Sequence, residues 1–411
     1  MKASLRLIVA ALICAATMAC ATSEALAAPP KLAVKGASLS AGPSGQRLYG
    51  VNANKHMLIA STTKLMTVRV VLQHVHNLSQ KFTMPNWRAE AIDSQVGVLP
   101  GQKMTVHDLL IALMLPSADD AAIDLAYNVG HGSIKRFVGM MNAEAAKLGL
   151  KNTHYQNPIG LDGGGANYST PYELTRLAEL DMSYSPWLAK TVASPQATVK
   201  VGSHSRVVTN RNTLVGRIPW INGVKTGHTN AAGYIVVASG TQHGMTLFDS
   251  VLGTTSESAR DANALALLKY GFANFRLAAP LKSGKVVKRL AVSEEKIHPA
   301  VIPARAWSKV VPKADQVSVR LKLPKQLSGP LKRHAKVGDA EVYVNGHKAT
   351  AVPLLVQRAV PSAPVLKQVA HFVTKPTTLG VLALVVGAAV TAGGIRRRRP
   401  RAVVGRSPIQ G

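Results

Sequence analysis

The chain has 411 residues, 49 of them lysine or arginine and 20 aspartate or glutamate, for a formal net charge of +29. A hydrophobic fraction of 47% beside 17% charged residues excludes a disordered polyelectrolyte. The length suggests two or three domains, and the excess positive charge asks for nucleic acid, a membrane surface or an anionic polymer as partner.

The first 27 residues carry Lys2 and Arg6, then an apolar run from Leu7 to Cys20, then small residues ending in Ala25-Leu26-Ala27. That order reads as a secretory signal peptide cut after Ala27. Lipidation of Cys20 is the alternative, against a poor lipobox in Thr17-Met18-Ala19. Cys14 and Cys20 are the only cysteines, so the exported chain is expected to hold no disulfide, no thiolate metal site and no cysteine nucleophile.

Residues 28–280 mix helices and strands. Leu65, Val68, Val71 and Leu72 recur at helical spacing after Ser61. Thr105 with Asp108 forms a capping-box pattern before the apolar run Leu109–Leu115, which Pro116 stops. Further helices are expected over 121–129 and 134–148. The β-branched run Tyr234–Ser239 reads as a buried strand and Arg260–Phe275 as a closing helix. Beyond 280 the period changes to two: Val317, Val319, Leu321 and Leu323 alternate with polar residues, and Asn345-Gly346 between two apolar runs signals a hairpin. Residues 281–360 therefore read as a small β-rich domain, and 361–376 as a stalk. The uncharged stretch 377–395 is long enough to approach a bilayer span, and Arg396–Arg399 follow at once. A basic cluster of that kind stays cytoplasmic. The expected topology is an exported body on a C-terminal transmembrane helix, with 396–411 as a basic cytoplasmic tail.

Charge is unevenly spread. Residues 28–280 have 23 basic and 14 acidic side chains, whereas 281–376 have 18 and 5. An exported chain rarely meets nucleic acid, and aromatics at 5% are few for base stacking, so that partner is set aside.

Three motifs carry chemistry. In Ser61-Thr62-Thr63-Lys64 the first and last residues share a helical face, so Lys64 can reach the Ser61 hydroxyl and act as its base once it gives up a proton. A second Ser-x-x-Lys, Ser293–Lys296, reads as a solvated charged turn and shows how weak the pattern is alone. Ser117-Ala118-Asp119 follows Pro116 at a turn between helices, where a second hydroxyl can be presented or a helix simply capped. Lys225-Thr226-Gly227 precedes the apolar strand. Lys and Thr can hold a carboxylate there, and Gly lets a ligand lie against the backbone. No His-Glu-x-x-His, phosphate-binding loop or Gly-x-Ser-x-Gly elbow is present, so neither metal nor cofactor is expected.

In this order the motifs resemble the penicilloyl-serine transferases. Ala60–Thr67, Gly101–Ala122, Asn157–Pro171 and Val224–Ser239 resemble the low-molecular-mass penicillin-binding proteins of the penicillin-binding protein 5 and 6 type. These are serine D-alanyl-D-alanine carboxypeptidases, and the likeness covers about residues 35–355. It implies an α+β fold: a β-lactamase/transpeptidase-like catalytic domain, made of a sheet with flanking helices and a helical subdomain, followed by a small all-β domain. It also implies roles. Ser61 attacks the carbonyl between the last two D-alanines of a peptidoglycan stem peptide, and Lys64 is the base. The backbone N–H groups of Ser61 and His228 stabilise the oxyanion. Lys225 and Thr226 bind the terminal carboxylate, Asp119, Gly227 and His228 complete the substrate-binding set, and Ser117 relays a proton. β-Lactams are the implied acylating inhibitors. Arg211, near the carboxylate pocket, and Asp162, in a loop beside the active site, match weaker family positions where a structural role is equally open. An endopeptidase or β-lactamase on the same fold and a non-catalytic envelope-binding protein are the alternatives. One residue departs from the family. Asp119 stands where Asn is usual, and a carboxylate accepts hydrogen bonds but does not donate them. Asp119→Asn is expected to keep or raise activity.

Overall fold

The computed structural model describes residues 28–361, apart from 43, 89, 91–93, 163–166 and 294–296, together with 380, 381, 383 and 384. The leader, the stalk beyond 361, nearly all of the expected span and the basic tail lie outside the described residues. So does most of Ser293–Lys296. Among the described residues no helix is long and apolar enough to cross a membrane.

The chain divides into two compact units: residues 1–278 with 309–315, and 279–308 with 316–411. The first is built on an antiparallel five-stranded sheet of β1 (Gly36–Ala41), β2 (Gln46–Val51), β3 (Ile221–Thr229), β4 (Gly233–Gln242) and β5 (Met245–Thr254). Their spatial order is β2-β1-β5-β4-β3. β4 shows why its sequence is apolar without alternation. Ile235 and Val237 enter one core with Leu65, Val68 and Leu109, while Val236 and Ala238 enter another with Ala264, Leu267 and Leu268. Both faces are covered by helices, so both need apolar side chains.

On the first face lie α1 (Lys64–His74), α2 (Val106–Met114), α3 (Asp119–Val129), α4 (Ile134–Lys147) and α5 (Pro171–Tyr184). The capping pattern read from Thr105 is realised, since its Oγ1 accepts from the Asp108 N–H at 3.1 Å. α6 (Glu257–Asn274) covers the other face, with Ser256 accepting from the Ala259 N–H at its N-terminus.

The second unit has β6 (Lys288–Arg289), β7 (Ala300–Pro303), β8 (Val317–Lys322), β9 (Lys336–Val344) and β10 (His347–Val356), in the order β6-β7-β10-β9-β8. The turn expected at Asn345-Gly346 joins β9 to β10, with φ of 49° and 80° at its two residues. Positive φ at both centres is what a tight hairpin requires. The core is apolar: Val301, Ala340, Val342, Val352, Leu354 and Val356.

Candidate active site

Strand order leaves β3 at the edge of the sheet, with one side unpaired by any strand among the described residues. That edge meets a single 3-10 turn, Ala60–Thr63, which runs directly into α1. The helix expected from Ser61 thus begins as a tighter turn, and Ser61 sits in it. Ala60 is held at φ 45°, a conformation costly for a residue with a side chain and typical of strained functional turns. Close approach explains two glycines. A Cβ on Gly227 would lie 3.0 Å from the Ser61 nitrogen and 3.1 Å from that of Thr62. A Cβ on Gly160 would lie 2.0 Å from the Ala60 carbonyl oxygen, and Gly160 itself has φ 97°. The serine turn is therefore wedged between β3 and the 157–161 loop.

Lys64 is fully buried. Its Nζ donates to Ser61 Oγ at 3.0 Å, to Asp119 Oδ1 at 2.6 Å and to the Ile159 carbonyl at 2.8 Å. Those acceptors match the three protons of an ammonium. Asp119 opens α3, and its second oxygen accepts from the Ser94 N–H at 3.0 Å. Both carboxylate oxygens thus face N–H donors, which an amide could not reproduce because it offers one acceptor and one donor group. Two residues earlier, Ser117 is held at φ 67°. Its hydroxyl is buried and has no hydrogen-bond partner among the described residues.

A cavity of about 220 Å³ joins these groups. Ser61, Ser117 and Asp119 line it with Thr226, Gly227, His228 and Arg211. The His228 ring stacks on Tyr234 at 4.0 Å between centroids, which commits that side chain to packing. Lys225 lies behind the cavity wall, 1% exposed, with its Nζ donating to the Thr226 carbonyl at 3.0 Å. Burial, and then the positive charges of Lys64, Arg211 and Arg260, hold the Lys225 ammonium well below its usual pKa. Asp119 opposes this only in part.

Arg260 was read from the sequence only as the start of the closing helix. It is 1% exposed, lines the same cavity, bonds Asp261 Oδ1 through Nε at 2.8 Å, and keeps a buried Nη2 without a partner among the described residues. It belongs to no short motif. No sequence signal separates it from the polar first turn Glu257-Ser258-Ala259-Arg260-Asp261. Asp162, by contrast, does not line the Ser61 cavity but an adjoining one. Among the described residues no cluster of three metal-ligating side chains occurs.

A family model described as D-alanyl-D-alanine carboxypeptidase matches residues 23–256, more than half of the chain. The chain belongs to that family. A second model, described as penicillin-binding protein 5, C-terminal domain, matches residues 275–362. Among relatives, the D-alanyl-D-alanine carboxypeptidase of Streptomyces sp. (strain K15) is 39% identical over 278 residues, covering 64% of this chain and 95% of that protein. D-alanyl-D-alanine carboxypeptidase DacD of Escherichia coli is 30% identical over 348 residues, 81% of this chain and 88% of that protein. Among solved structures, penicillin-binding protein 5 from Haemophilus influenzae has a TM-score of 0.65 at 28% identity, covering 82% of this chain and all of that one. The family membership carries the reading of a serine-type carboxypeptidase that binds penicillin.

Proposed function

We propose that Ser61 is the acylated nucleophile of a D-alanyl-D-alanine carboxypeptidase that removes the terminal D-alanine from peptidoglycan stem pentapeptides. The observation that carries this is the 3.0 Å contact from Lys64 Nζ to Ser61 Oγ at a cavity walled by β3. Lys64 must first give up a proton to solvent, because its surroundings are those of an ammonium. It then takes the hydroxyl proton as Ser61 Oγ attacks the carbonyl carbon. The Ser61 and His228 N–H groups face the developing oxyanion. Ser117, whose hydroxyl has no partner among the described residues, relays the proton that Lys64 took from Ser61 to the leaving D-alanine amine. Water then hydrolyses the ester. The terminal carboxylate belongs at Thr226 and Arg211, with Lys225 and Arg260 behind, where the positive charges outnumber Asp119. β-Lactams acylate the same oxygen.

The setting is proposed with it. The leader exports the chain, residues 377–395 anchor it in the cytoplasmic membrane, and the catalytic unit works on the outer side. The surplus charge of 281–376 suits anionic envelope or lipid head groups.

A fluorescent penicillin tests the chemistry. The wild-type protein should be labelled and should release D-alanine from a peptide ending in D-Ala-D-Ala. Ser61→Ala should lose both by at least about 10³-fold while melting at the same temperature. Labelling that persists in Ser61→Ala would overturn the assignment.

A further inference from the structure

The second unit gathers cations where the chain leaves it. Leu331 and Val360 exchange two backbone hydrogen bonds, at 2.9 and 2.8 Å. A little further on, the His334 N–H donates to the Val356 carbonyl at 2.9 Å. Between those two ties lies the turn Lys332–Ala335, closed by the Ala335 N–H donating to the Lys332 carbonyl at 3.0 Å, and on the facing segment lies Arg358. The backbone therefore holds Lys332, Arg333 and Arg358 in one small patch, and all three side chains are exposed. Gly329 packs so closely on Pro361 that a Cβ there would lie 2.1 Å from the Pro361 carbonyl oxygen. Pro361, from which the chain continues toward residues 377–395, thus sits beside the patch.

Nothing among the described residues neutralises these charges. Asp339 and Glu341 are the only carboxylates described in this unit, and both are taken: Asp339 pairs with Lys336 at 3.0 Å, and Glu341 with Lys322 and Lys348. His334, in the middle of the turn, is held at φ 63°, a conformation costly for a residue with a side chain and typical of functional turns. Three like charges held side by side repel one another until an anion covers them.

The tether says which anion. Residues 362–376 reach at most about 50 Å when fully extended, so a bilayer that holds 377–395 is always within range of Pro361. Along the chain, the surface around Pro361 is the part of the second unit nearest to that bilayer. An anionic surface kept there at high effective concentration needs only a few cations to capture the unit. We infer that Lys332, Arg333 and Arg358 dock the second unit on the anionic phospholipid head groups of the membrane that anchors the chain. The inference rests on the anchoring reading above and deepens it, choosing lipid over wall polymer.

Energy transfer measures the approach. Cysteine occurs only at 14 and 20, so Ser328→Cys gives residues 28–411 a single thiol, exposed and close to the patch, for a donor dye. The full chain is reconstituted into phosphatidylcholine bilayer discs that carry a head-group acceptor, with or without phosphatidylglycerol. Transfer should be higher in the anionic discs, and salt at about 1 M, where the Debye length is about 3 Å, should return it to the neutral level. Lys332→Gln/Arg333→Gln/Arg358→Gln should lower the ratio of docked to undocked protein about 100-fold. Lys282→Gln/Lys285→Gln/Arg305→Gln removes the same charge elsewhere on the unit and should keep the transfer. All six side chains are exposed, so neither variant is expected to disturb folding. Equal transfer in both discs, from protein that stays in them at high salt, overturns the docking alone. Equal losses in the two triple variants also overturn it, because diffuse charge would then suffice. Protein that leaves both discs at high salt overturns the anchoring reading and the docking with it.

Discussion

The two units treat charge in opposite ways. The first buries it: Lys64, Lys225, Arg260, Asp119, Asp124 and Asp249 are all under 5% exposed. In the second, Glu341 is the one buried ionisable residue among the described residues, and it is held by Lys348 at 2.5 Å, Lys322 at 3.0 Å and the Tyr343 hydroxyl at 2.9 Å. Burying charge costs stability unless it is paired. In the first unit Lys64 is paired with Asp119 and Arg260 with Asp261, while burial and the neighbouring cations depress the Lys225 ammonium, so positive charge is crowded at one cavity. The second unit closes its own accounts and leaves the remaining charge outside. A stability cost accepted in one place and avoided in the other marks where chemistry happens.

Removing a cation of the first unit should break the comparison most severely. Lys225→Met replaces a buried ammonium by an apolar chain of similar length, and kcat/KM for D-Ala-D-Ala peptides should fall about 100-fold. The protein itself should not be destabilised, because a desolvated cation is gone. The wild-type residue also sets a pH dependence. Its pKa is lowered in the free site, and a bound carboxylate restores the charged form, so binding takes up a proton. KM should therefore rise as pH climbs above the lowered pKa of the free site and level off above the pKa of the complex. A KM–pH profile of Lys225→Met that still rises like the wild type would remove Lys225 from this role.

Asp119 tests the pairing itself. An amide leaves Lys64 without a counter-charge, which eases release of its proton, but it cannot accept from both Lys64 and the Ser94 N–H. Asp119→Asn should keep or raise the rate of penicillin acylation while costing about 1–3 kcal/mol of stability for the donor left unmatched. A tenfold slower acylation with an unchanged melting temperature would contradict both halves.

Much of this site was legible because its three motifs are local. A hydroxyl and an amine three residues apart on a helix, or a Lys-Thr-Gly before an apolar strand, announce their geometry in the sequence. The two-sided burial of β4 and the Asn345-Gly346 hairpin were legible for the same reason. What was hidden depends on contacts between distant segments. Arg260 reaches the cavity from the last helix of the first unit, and the double tie of Asp119 needs Ser94 to be folded against it. The 3-10 start of α1 comes from the wedge between Gly160 and Gly227, which helical periodicity does not encode. Asp162 matched a pattern near the site, and only the fold separates its cavity from that of Ser61.

A buried acid away from the cavity gives a smaller effect. Asp124 has one oxygen without a partner among the described residues, and burial, with Asp120 nearby, raises its pKa to about 7. A carboxyl raised in the folded state stabilises fully below its unfolded pKa near 4 and loses that contribution as pH rises through 7. Asp124→Asn should stabilise the first unit by roughly 2 kcal/mol at pH 8 and by nothing at pH 4. Denaturant midpoints at the two pH values measure it, and an equal gain at both would refute the electrostatic cause.

The second unit should answer pH with the opposite sign. Lys348, and after it Lys322 and Tyr343, hold Glu341 down to about 2. A lowered carboxyl contributes stability above its unfolded pKa near 4 and loses it as pH falls toward 2. Glu341→Gln should weaken the second unit modestly at neutral pH, since the amide keeps one acceptor for two lysines and a tyrosine. Below pH 2 the variant and wild type should converge. Hydrogen exchange at the Val342 and Leu354 amides of the full chain reads this unit apart from the first. If those amides in Glu341→Gln exchange at the wild-type rate at neutral pH, the buried pairing contributes nothing, and the contrast between the two units rests on the catalytic side alone.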